Sequence, residues 1–319
     1  MIPDLLYIVL FVTAFGSVAW ILIIFFQHVL KIRIPFYFCS LMLLFYILPS
    51  LRPGLRIVMQ EQKWIPTFLT ASKIWITGYS ILLGYLIIRN IYAYLAVRKY
   101  VPCHDKAVAR VLHKSAMLLK MKKLPEIFYG NLKDPACVIS LGHPKIILSK
   151  KISEQLTEQE LTVILTHELI HIKRGHLFLQ KCFNLIVCIH WFNPLVWAAR
   201  HEFSISCEMD CDQSIFKNIP ELSVFDYANL MLKMLKLALP NKSYAASAIG
   251  TLDFVLARQR FQNILSPISV IQKCCSVVLS LATMIAVISG SLVCSNTYFY
   301  SVPTGNAQIA QIERSAGHE

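Results

Sequence analysis

The sequence predicts a mostly α membrane protein, with four transmembrane helices and an α+β domain inserted between the third and the fourth. Three observations support this prediction. Of the 319 residues, 56% are hydrophobic and only 15% are charged, whereas a soluble domain carries about 25% charged residues. The mean hydropathy is +0.55. Four long apolar stretches occur, and the chain between the last two is more polar.

Each apolar stretch is close to the length of about 20 residues that a helix needs to cross a bilayer core. The stretches are residues 5–26, 34–51, 74–97 and 275–294. No small-residue cleavage site follows a short apolar core at the start, so we expect a retained span rather than a signal peptide. The predicted division is 1–97 with three spans, 98–273 as the inserted domain, 274–296 as the fourth transmembrane helix and 297–319 as a short extracellular tail.

The basic residues predict the orientation. The formal net charge is +13, and residues 98–123 carry eight Lys or Arg against Asp105 alone. Since Lys and Arg accumulate on the cytoplasmic side, the inserted domain is placed in the cytoplasm and both termini lie outside. No nucleic-acid motif accompanies the charge, so we expect no direct nucleic-acid binding. The ten cysteines show no disulfide framework, and we expect reduced thiols.

The inserted domain begins with a predicted basic helix over 104–123 and continues with β-rich runs. These are Glu126–Gly130, Cys137–Ser140 and Lys145–Leu148, and a Gly/Pro turn between the last two predicts a hairpin. An exposed edge of that hairpin can hold an extended peptide by main-chain hydrogen bonds. Simply covering the following helix is an equally good role for it.

A helix is predicted to start at Thr157, which has the capping-box spacing to Glu160. His167 and His171 are four residues apart on this helix, so both imidazoles project from one face. Two neutral histidines at that spacing can bind Zn²⁺. Glu168, beside the first histidine, is then the catalytic base that takes a proton from water. The alternative is a helix with two surface histidines and a glutamate.

A zinc peptidase needs a third protein ligand and an open fourth position. Glu208 and Asp212 are four apart on a predicted helix and share a face. We expect Glu208 to bind the metal and Asp212 to orient a ligand histidine. Asp210 is a competing ligand that points away from that face. The alternative is an acidic turn that only faces solvent.

Residues 182–199 carry no charge. A fifth span here would drive His171 and Glu208 to opposite sides of the membrane, where they could not share one ion. Asn193 and Pro194 fit the N-cap and first position of a new helix. We therefore predict two segments associated with the membrane, the second continuing as the helix that carries Glu208.

The order of these features resembles the metallopeptidase family of the bacterial β-lactam sensor-transducers, the BlaR/MecR type. The resemblance covers roughly residues 1–295. Its motifs are HELIHIKRGH at 167–176, HWFNPLVWAAR at 190–200, EMDCD at 208–212 and ARQRFQNIL at 257–265. The pattern HExxH alone is common, but the NPLVW segment and the E-x-x-C-D pattern together are specific.

The resemblance implies a zincin-like peptidase of the gluzincin type in the bacterial plasma membrane, with the site facing the cytoplasm. It implies that His167, His171 and Glu208 are zinc ligands, that Glu168 is the base and that Asp212 supports a ligand from outside the ligand set. It also implies signalling by self-cleavage or by cleavage of a DNA-binding repressor. The expected partners are thus a protein substrate and membrane lipid, and a separate sensor protein and a homodimer stay open.

Two departures from the family pattern affect these expectations. His176 stands where the family often has an acidic residue, which predicts a different local contact. The extracellular penicillin-binding domain is expected to be missing, because only a tail of about 25 residues follows the fourth span. The formal Ser-x-x-Lys match from Ser214 to Lys217 lies in the predicted cytoplasmic domain. β-Lactam sensing by this chain alone is therefore not expected.

Three other functions stay open on the sequence alone. A quality-control membrane protease of the HtpX kind shares the HExxH motif and a later glutamate. An intramembrane site-two-type protease would need a Leu-Asp-Gly ligand, and the nearest match is Leu252-Asp253-Phe254. A non-catalytic receptor or scaffold would have no need of Glu168.

A few further side chains near the motifs have weaker assignments. His190 and His201 are candidates to stabilise an oxyanion, although interface roles are commoner for such histidines. Cys211 is expected to be a packed thiol rather than a nucleophile. Arg258 and Arg260 are expected to be ordinary cytoplasmic charges.

Overall fold

The computed structural model describes residues 65–132, 135–140 and 143–238, helical positions between 9 and 25, and single helical positions from 260 to 289. The order of elements is α1 Ile65–Val97, β1 Val101–Pro102, α2 Lys106–Leu118, β2 Glu126–Gly130, β3 Ala136–Ser140, β4 Pro144–Ser149, α3 Lys150–Ser153, α4 Glu158–Arg174, α5 His176–Ile189, α6 Pro194–Asn218 and α7 Val224–Ala238.

Among the described residues, one helix is long and apolar enough to cross a membrane, Leu69–Val97 within α1. It contains the predicted third span, and the helix begins earlier, at Ile65. Described positions within 5–26 and 275–294 are helical. The predicted span 34–51 lies outside the described residues. Apolar side chains on α1, such as Ile88 and Tyr92, are 68% and 74% exposed.

Two tryptophans join α1 to the end of α5. Trp75 Nε1 donates to the carbonyl of Ile189 at 2.8 Å, and Trp191 Nε1 donates to the carbonyl of Trp75 at 3.3 Å. A Cβ added at Gly78 would lie 2.4 Å from the Trp191 ring. The ring can therefore pack against α1 only because residue 78 has no side chain.

The four strands form one sheet in the order β1-β2-β4-β3. β3 and β4 pair antiparallel, with Val138 opposite Ile146, which confirms the predicted hairpin. β2 pairs with β4 in parallel, a long-range pairing that local patterns do not reveal. β3 thus lies at an edge of the sheet, and it packs against α4.

The basic helix α2 is shorter than the predicted 104–123 because its ends are set by local bonds. Asp105 caps the first turn by accepting from the Ala107 amide at 2.7 Å. Beyond the last turn, Lys120 has a φ of 52°, a left-handed conformation that ends a helix. The buried face of α2 packs on α4, where Ser115 Oγ donates to the Thr162 carbonyl at 3.2 Å.

Helix α4 starts as predicted. The Thr157 hydroxyl accepts from the Glu160 amide at 3.2 Å, and the Glu160 carboxylate accepts from the Thr157 amide at 2.8 Å. This capping box satisfies two amides that a helix start leaves open. Leu165 and Leu169 are fully buried in a core shared by α2, the sheet and α6. The apolar side of α4 is therefore packed in this core, and the side that carries the two histidines faces α6.

The predicted break between α5 and α6 is confirmed. Asn193 caps α6 by accepting from the Leu195 amide at 2.9 Å, and Pro194 is the first residue of the helix. Helix α6 then runs unbroken past Glu208, as predicted. A second apolar cluster lies between α5, α6 and the helical positions near the N-terminus, and it includes Val12, Phe183 and Phe203.

Candidate metal centre

The two histidines of α4 bring their ring nitrogens together. His167 Nε2 lies 3.2 Å from His171 Nε2, as expected for side chains one helical turn apart. Both side chains are only 12% exposed. The pair faces α6, which packs against α4.

Helix α6 presents Glu208 to both rings. One carboxylate oxygen lies 3.4 Å from His167 Nε2, and the other lies 3.4 Å from His171 Nε2. Donor atoms bound tetrahedrally to zinc at about 2.0–2.1 Å are about 3.3–3.4 Å from one another. The two imidazole nitrogens, and each nitrogen with its nearer Glu208 oxygen, are therefore at about the spacing of zinc ligands. A donor set of two imidazoles and a carboxylate suits zinc.

Cys211 is an alternative third donor, since its sulfur lies within 4.8 Å of the two histidine donors. Metal binding requires the thiolate. Burial raises the pKa of the Cys211 thiol far above its ordinary value, and the carboxylates of Glu208 and Asp212 raise it further. Glu208 contacts both rings, and its pKa is held well below the ordinary value, so it is the better third donor.

Asp212 lies on the outer side of His167. One of its oxygens is 3.6 Å from His167 Nδ1, the ring nitrogen that does not face Glu208. The carboxylate also accepts from the Tyr227 hydroxyl at 2.6 Å. Arg260 donates to both oxygens, at 2.9 and 2.7 Å. Asp212 is thus buried, fully engaged and placed to orient the imidazole.

Arg260 also reaches Glu208, whose carboxylate lies 3.2 Å from the guanidinium. The expectation that Arg260 is an ordinary cytoplasmic charge is wrong. Burial would lower its pKa, but Asp212 and Glu208 raise the pKa well above the ordinary value. Arg260 therefore stays charged and joins the two carboxylates of the site.

Asp210 lies apart from this group, as predicted. Its carboxylate is 3.4 Å from Arg174 Nε and 3.5 Å from His176 Nε2. His176 is fully buried, and its Nδ1 lies 2.9 Å from His171 Nδ1. The outer side of His171 thus meets an imidazole, where the outer side of His167 meets a carboxylate.

The ordinary pKa values of these groups are shifted in opposite directions. Burial lowers the pKa of His171 to about 3, and the nearby His167 contributes. Burial also disfavours charge on His167, but the hydrogen bond and charge of Glu208, with Asp212, raise its pKa. Burial would raise the pKa of Glu208, but His167 and Arg260 hold it well below its ordinary value. Two of the three donors are therefore in their metal-binding form at neutral pH.

Glu168 follows His167 on α4 and is half-buried. The two oxyanion candidates lie elsewhere in the fold. His190 is buried with Nδ1 2.6 Å from the Thr13 hydroxyl, and His201 is exposed.

The sequence did not place three residues in this centre: His176, Tyr227 and Arg260. Only His176, a departure from the family pattern, stood out before the fold was known.

A family model described as BlaR1 peptidase M56 matches residues 53–264, a range that includes every residue of the centre from His167 to Arg260. The regulatory protein BlaR1 of Bacillus licheniformis is 22% identical over 193 residues, which cover 60% of this chain and 32% of that protein.

The methicillin resistance mecR1 proteins of Staphylococcus aureus and Staphylococcus epidermidis are each 28% identical over 112 residues. These residues cover 35% of this chain and 19% of each relative. The matched part of this chain thus spans a third or less of the length of these curated relatives.

Proposed function

This chain belongs to the BlaR1 peptidase M56 family, and on that premise we propose that it is an integral-membrane zinc endopeptidase that signals by proteolysis. One observation above all supports the proposal. The Nε2 atoms of His167 and His171 lie 3.2 Å apart, and each lies 3.4 Å from a different oxygen of the Glu208 carboxylate, although the two helices that carry them are distant in the sequence. An accidental cluster of polar side chains has no reason to adopt that spacing.

In this proposal the two imidazoles and the Glu208 carboxylate hold the zinc ion. When bound, zinc lowers the pKa of a coordinated water and polarises the carbonyl of the bond to be cleaved. His171 is neutral at physiological pH because its pKa is about 3. Glu208 carries the negative charge that makes the donor set favourable for a divalent cation.

Glu168 acts as the general base. It lies on the same helix as the two histidine ligands, directly after the first, so its position relative to them is fixed by α4. Its carboxylate takes a proton from the attacking water and passes that proton to the nitrogen of the leaving amine. A carboxylate can do both because it is ionised before the reaction and protonated after the first step.

The edge strand β3 is proposed to hold the substrate. It pairs on one side with β4 and packs against α4, the helix that carries the histidines. An extended peptide that pairs with the other side of β3 is held by main-chain hydrogen bonds. Such binding depends little on side chains, so specificity would come from neighbouring residues.

The proposed substrate is a protein, either this chain itself or a cytoplasmic DNA-binding repressor. A regulatory role is supported by the similarity to a regulatory protein and to methicillin resistance proteins. The proposed setting is the bacterial plasma membrane with the site at its cytoplasmic face. A separate protein is proposed as the sensor of the activating signal.

The test of the activity compares wild type with Glu168→Ala in cells. We expect cleavage of a specific protein, seen by proteomic size analysis, to fall by about 100- to 10,000-fold on loss of a general base. Glu158→Ala is the matched control, because Glu158 lies on the same helix and is exposed. The proposal fails if proteolysis and downstream regulation survive in the Glu168 variant.

The test of the metal site measures zinc in the purified full-length protein. We expect about one zinc ion per chain in wild type and a large loss in His167→Ala and Glu208→Ala. His113→Ala is the matched control, since His113 is an exposed histidine on α2. Equal zinc content in Glu208→Ala and wild type would rule out Glu208 as a ligand.

A further inference from the structure

His176 is a fully buried imidazole that takes no part in the proposed chemistry. It is the first residue of α5 and follows Gly175, which ends α4 with a φ of 70°. Only a left-handed residue lets the chain turn so sharply, and glycine adopts that conformation without strain. The turn brings the His176 ring back against His171, five residues earlier.

The proposed ligand geometry determines which nitrogen of His171 carries the proton. His171 Nε2 faces His167 and Glu208, so it must offer a lone pair to the metal. A neutral imidazole with a lone pair on Nε2 has its proton on Nδ1. That Nδ1–H points at His176 Nδ1, 2.9 Å away, a good hydrogen-bond distance.

The same reasoning applies to His176. Because its Nδ1 accepts from His171, its own proton must be on Nε2. His176 Nε2 lies 3.5 Å from the Asp210 carboxylate, which can only accept. Arg174 Nε lies 3.4 Å from that carboxylate. His171 therefore donates to His176, and the Asp210 carboxylate lies beside His176 Nε2 without forming a hydrogen bond to it.

Two other roles for His176 fit the geometry less well. As a metal ligand it would have to approach the Nε2 side of His171, but it lies on the Nδ1 side. As a partner of Cys211 it would compete with a sulfur at 3.6 Å, and a thiol is a weak donor. The shorter contact, to His171, is the stronger one.

We propose that His176 is a positioning residue that holds His171 in the metal-binding tautomer, and that Asp210 and Arg174 hold His176 in turn. This inference rests on the proposed function, because it assumes that His171 is a zinc ligand. Residues that orient ligand histidines are typically worth about 10–100-fold in metal affinity.

The experiment measures the zinc dissociation constant of the purified full-length protein by competition with a chelator. His176→Phe keeps the ring volume but removes both nitrogens, and we expect weaker binding by about 10–100-fold. His176→Asn is the matched rescue, because its side-chain oxygen can accept from His171 Nδ1–H in place of the ring nitrogen. We expect the Asn variant to bind zinc as wild type does.

The inference is overturned if His176→Phe binds zinc as tightly as wild type, or if His176→Asn loses as much affinity as His176→Phe. A second measurement does not depend on the variants folding. Nitrogen NMR of histidine-labelled wild-type protein should show His171 protonated on Nδ1, and protonation on Nε2 would also overturn the inference. If Glu208→Ala and His167→Ala keep full zinc affinity, the proposed metal site itself fails, which is a different result.

Discussion

The two histidines of the centre are one helical turn apart, yet their outer sides are supported in different ways. His167 meets the Asp212 carboxylate directly, and the cation that neutralises it, Arg260, comes from a distant part of the chain. His171 meets the imidazole of His176. The Asp210 carboxylate lies on the far side of His176, and Arg174, two residues before His176 in the chain, pairs with that carboxylate.

The group next to a candidate ligand histidine can therefore be a charged carboxylate, as at His167, or a second imidazole, as at His171. A carboxylate against His167 favours a proton on that ring, and its pKa is raised. The imidazole of His176 brings no negative charge to His171, and burial, followed by the charge of His167, lowers the pKa of His171 to about 3. The two imidazoles therefore differ in their affinity for a proton before any metal binds.

The largest effect is expected from breaking the direct support. Asp212→Asn removes the charge that Arg260 pairs with, and Asp212 is almost fully buried. Removing one partner of a buried ion pair typically costs about 3–5 kcal/mol. We expect a clear fall in the thermal unfolding temperature of the purified protein. Asp226→Asn is the control, because Asp226 is an exposed aspartate in the first turn of α7 whose carboxylate accepts from the Ser223 hydroxyl. An equal effect in both variants would contradict the assignment.

A smaller effect is expected from the indirect support. Asp210→Asn also loses an ion pair, but Arg174 is 33% exposed and water can solvate its charge once the carboxylate is gone. We expect the unfolding temperature to fall less than in Asp212→Asn, measured side by side. A fall as large as that of Asp212→Asn would mean that the two carboxylates contribute equally to the free energy of unfolding.

The protonation of the two rings should differ in the metal-free protein. Because the pKa of His171 is about 3 and that of His167 is raised above 6.5, lowering the pH to about 5 should protonate His167 and leave His171 neutral. NMR titration of histidine-labelled protein, with His171→Gln to assign the signals, measures this. Simultaneous protonation of both rings would show that the supports do not distinguish them.

The smallest effect is expected at the start of α4, which touches neither support. Glu160→Gln keeps a side chain that can close the capping box but removes the charge that pairs with Lys233 at 2.7 Å. We expect a loss of about 1 kcal/mol or less and unchanged zinc affinity. A change in zinc affinity would show that the helix start influences the site.

The same residue gives a pH dependence. Burial would raise the pKa of Glu160, but hydrogen bonds from Lys233 and the Thr157 amide hold it below the ordinary 4.5. The stabilisation is therefore present above pH 4.5 and is lost as the pH falls through the lower folded value. Wild type and Glu160→Gln should thus become more alike in unfolding temperature under acid conditions, and a growing difference would contradict this sign.

Sequence patterns predicted the features that depend on residues a few positions apart. The capping box at Thr157, the helix start at Asn193 and the β3–β4 hairpin are all local. The pairing of the histidines with Glu208 was predicted because metal chemistry demands a third ligand. In each case a short-range rule or a chemical requirement was sufficient.

The remainder depends on contacts between distant parts of the chain. The parallel pairing of β2 with β4 has no local pattern, and neither does the reach of Arg260 to Asp212. The role of His176 depends on how sharply the chain turns at Gly175. An arginine near a predicted span looks the same in the sequence whether it faces solvent or a buried carboxylate.

The contact of Arg260 with Asp212 affects the choice of fragments for expression. A recombinant fragment ending at Ala238, the last residue of α7, would keep both halves of the zinc-binding signature yet lack the guanidinium located 48 positions beyond Asp212. Its aspartate would be an uncompensated anion in a nearly dry interior. An excised peptidase domain should therefore extend past Arg260, and inactivity of a shorter piece would say little about the intact enzyme.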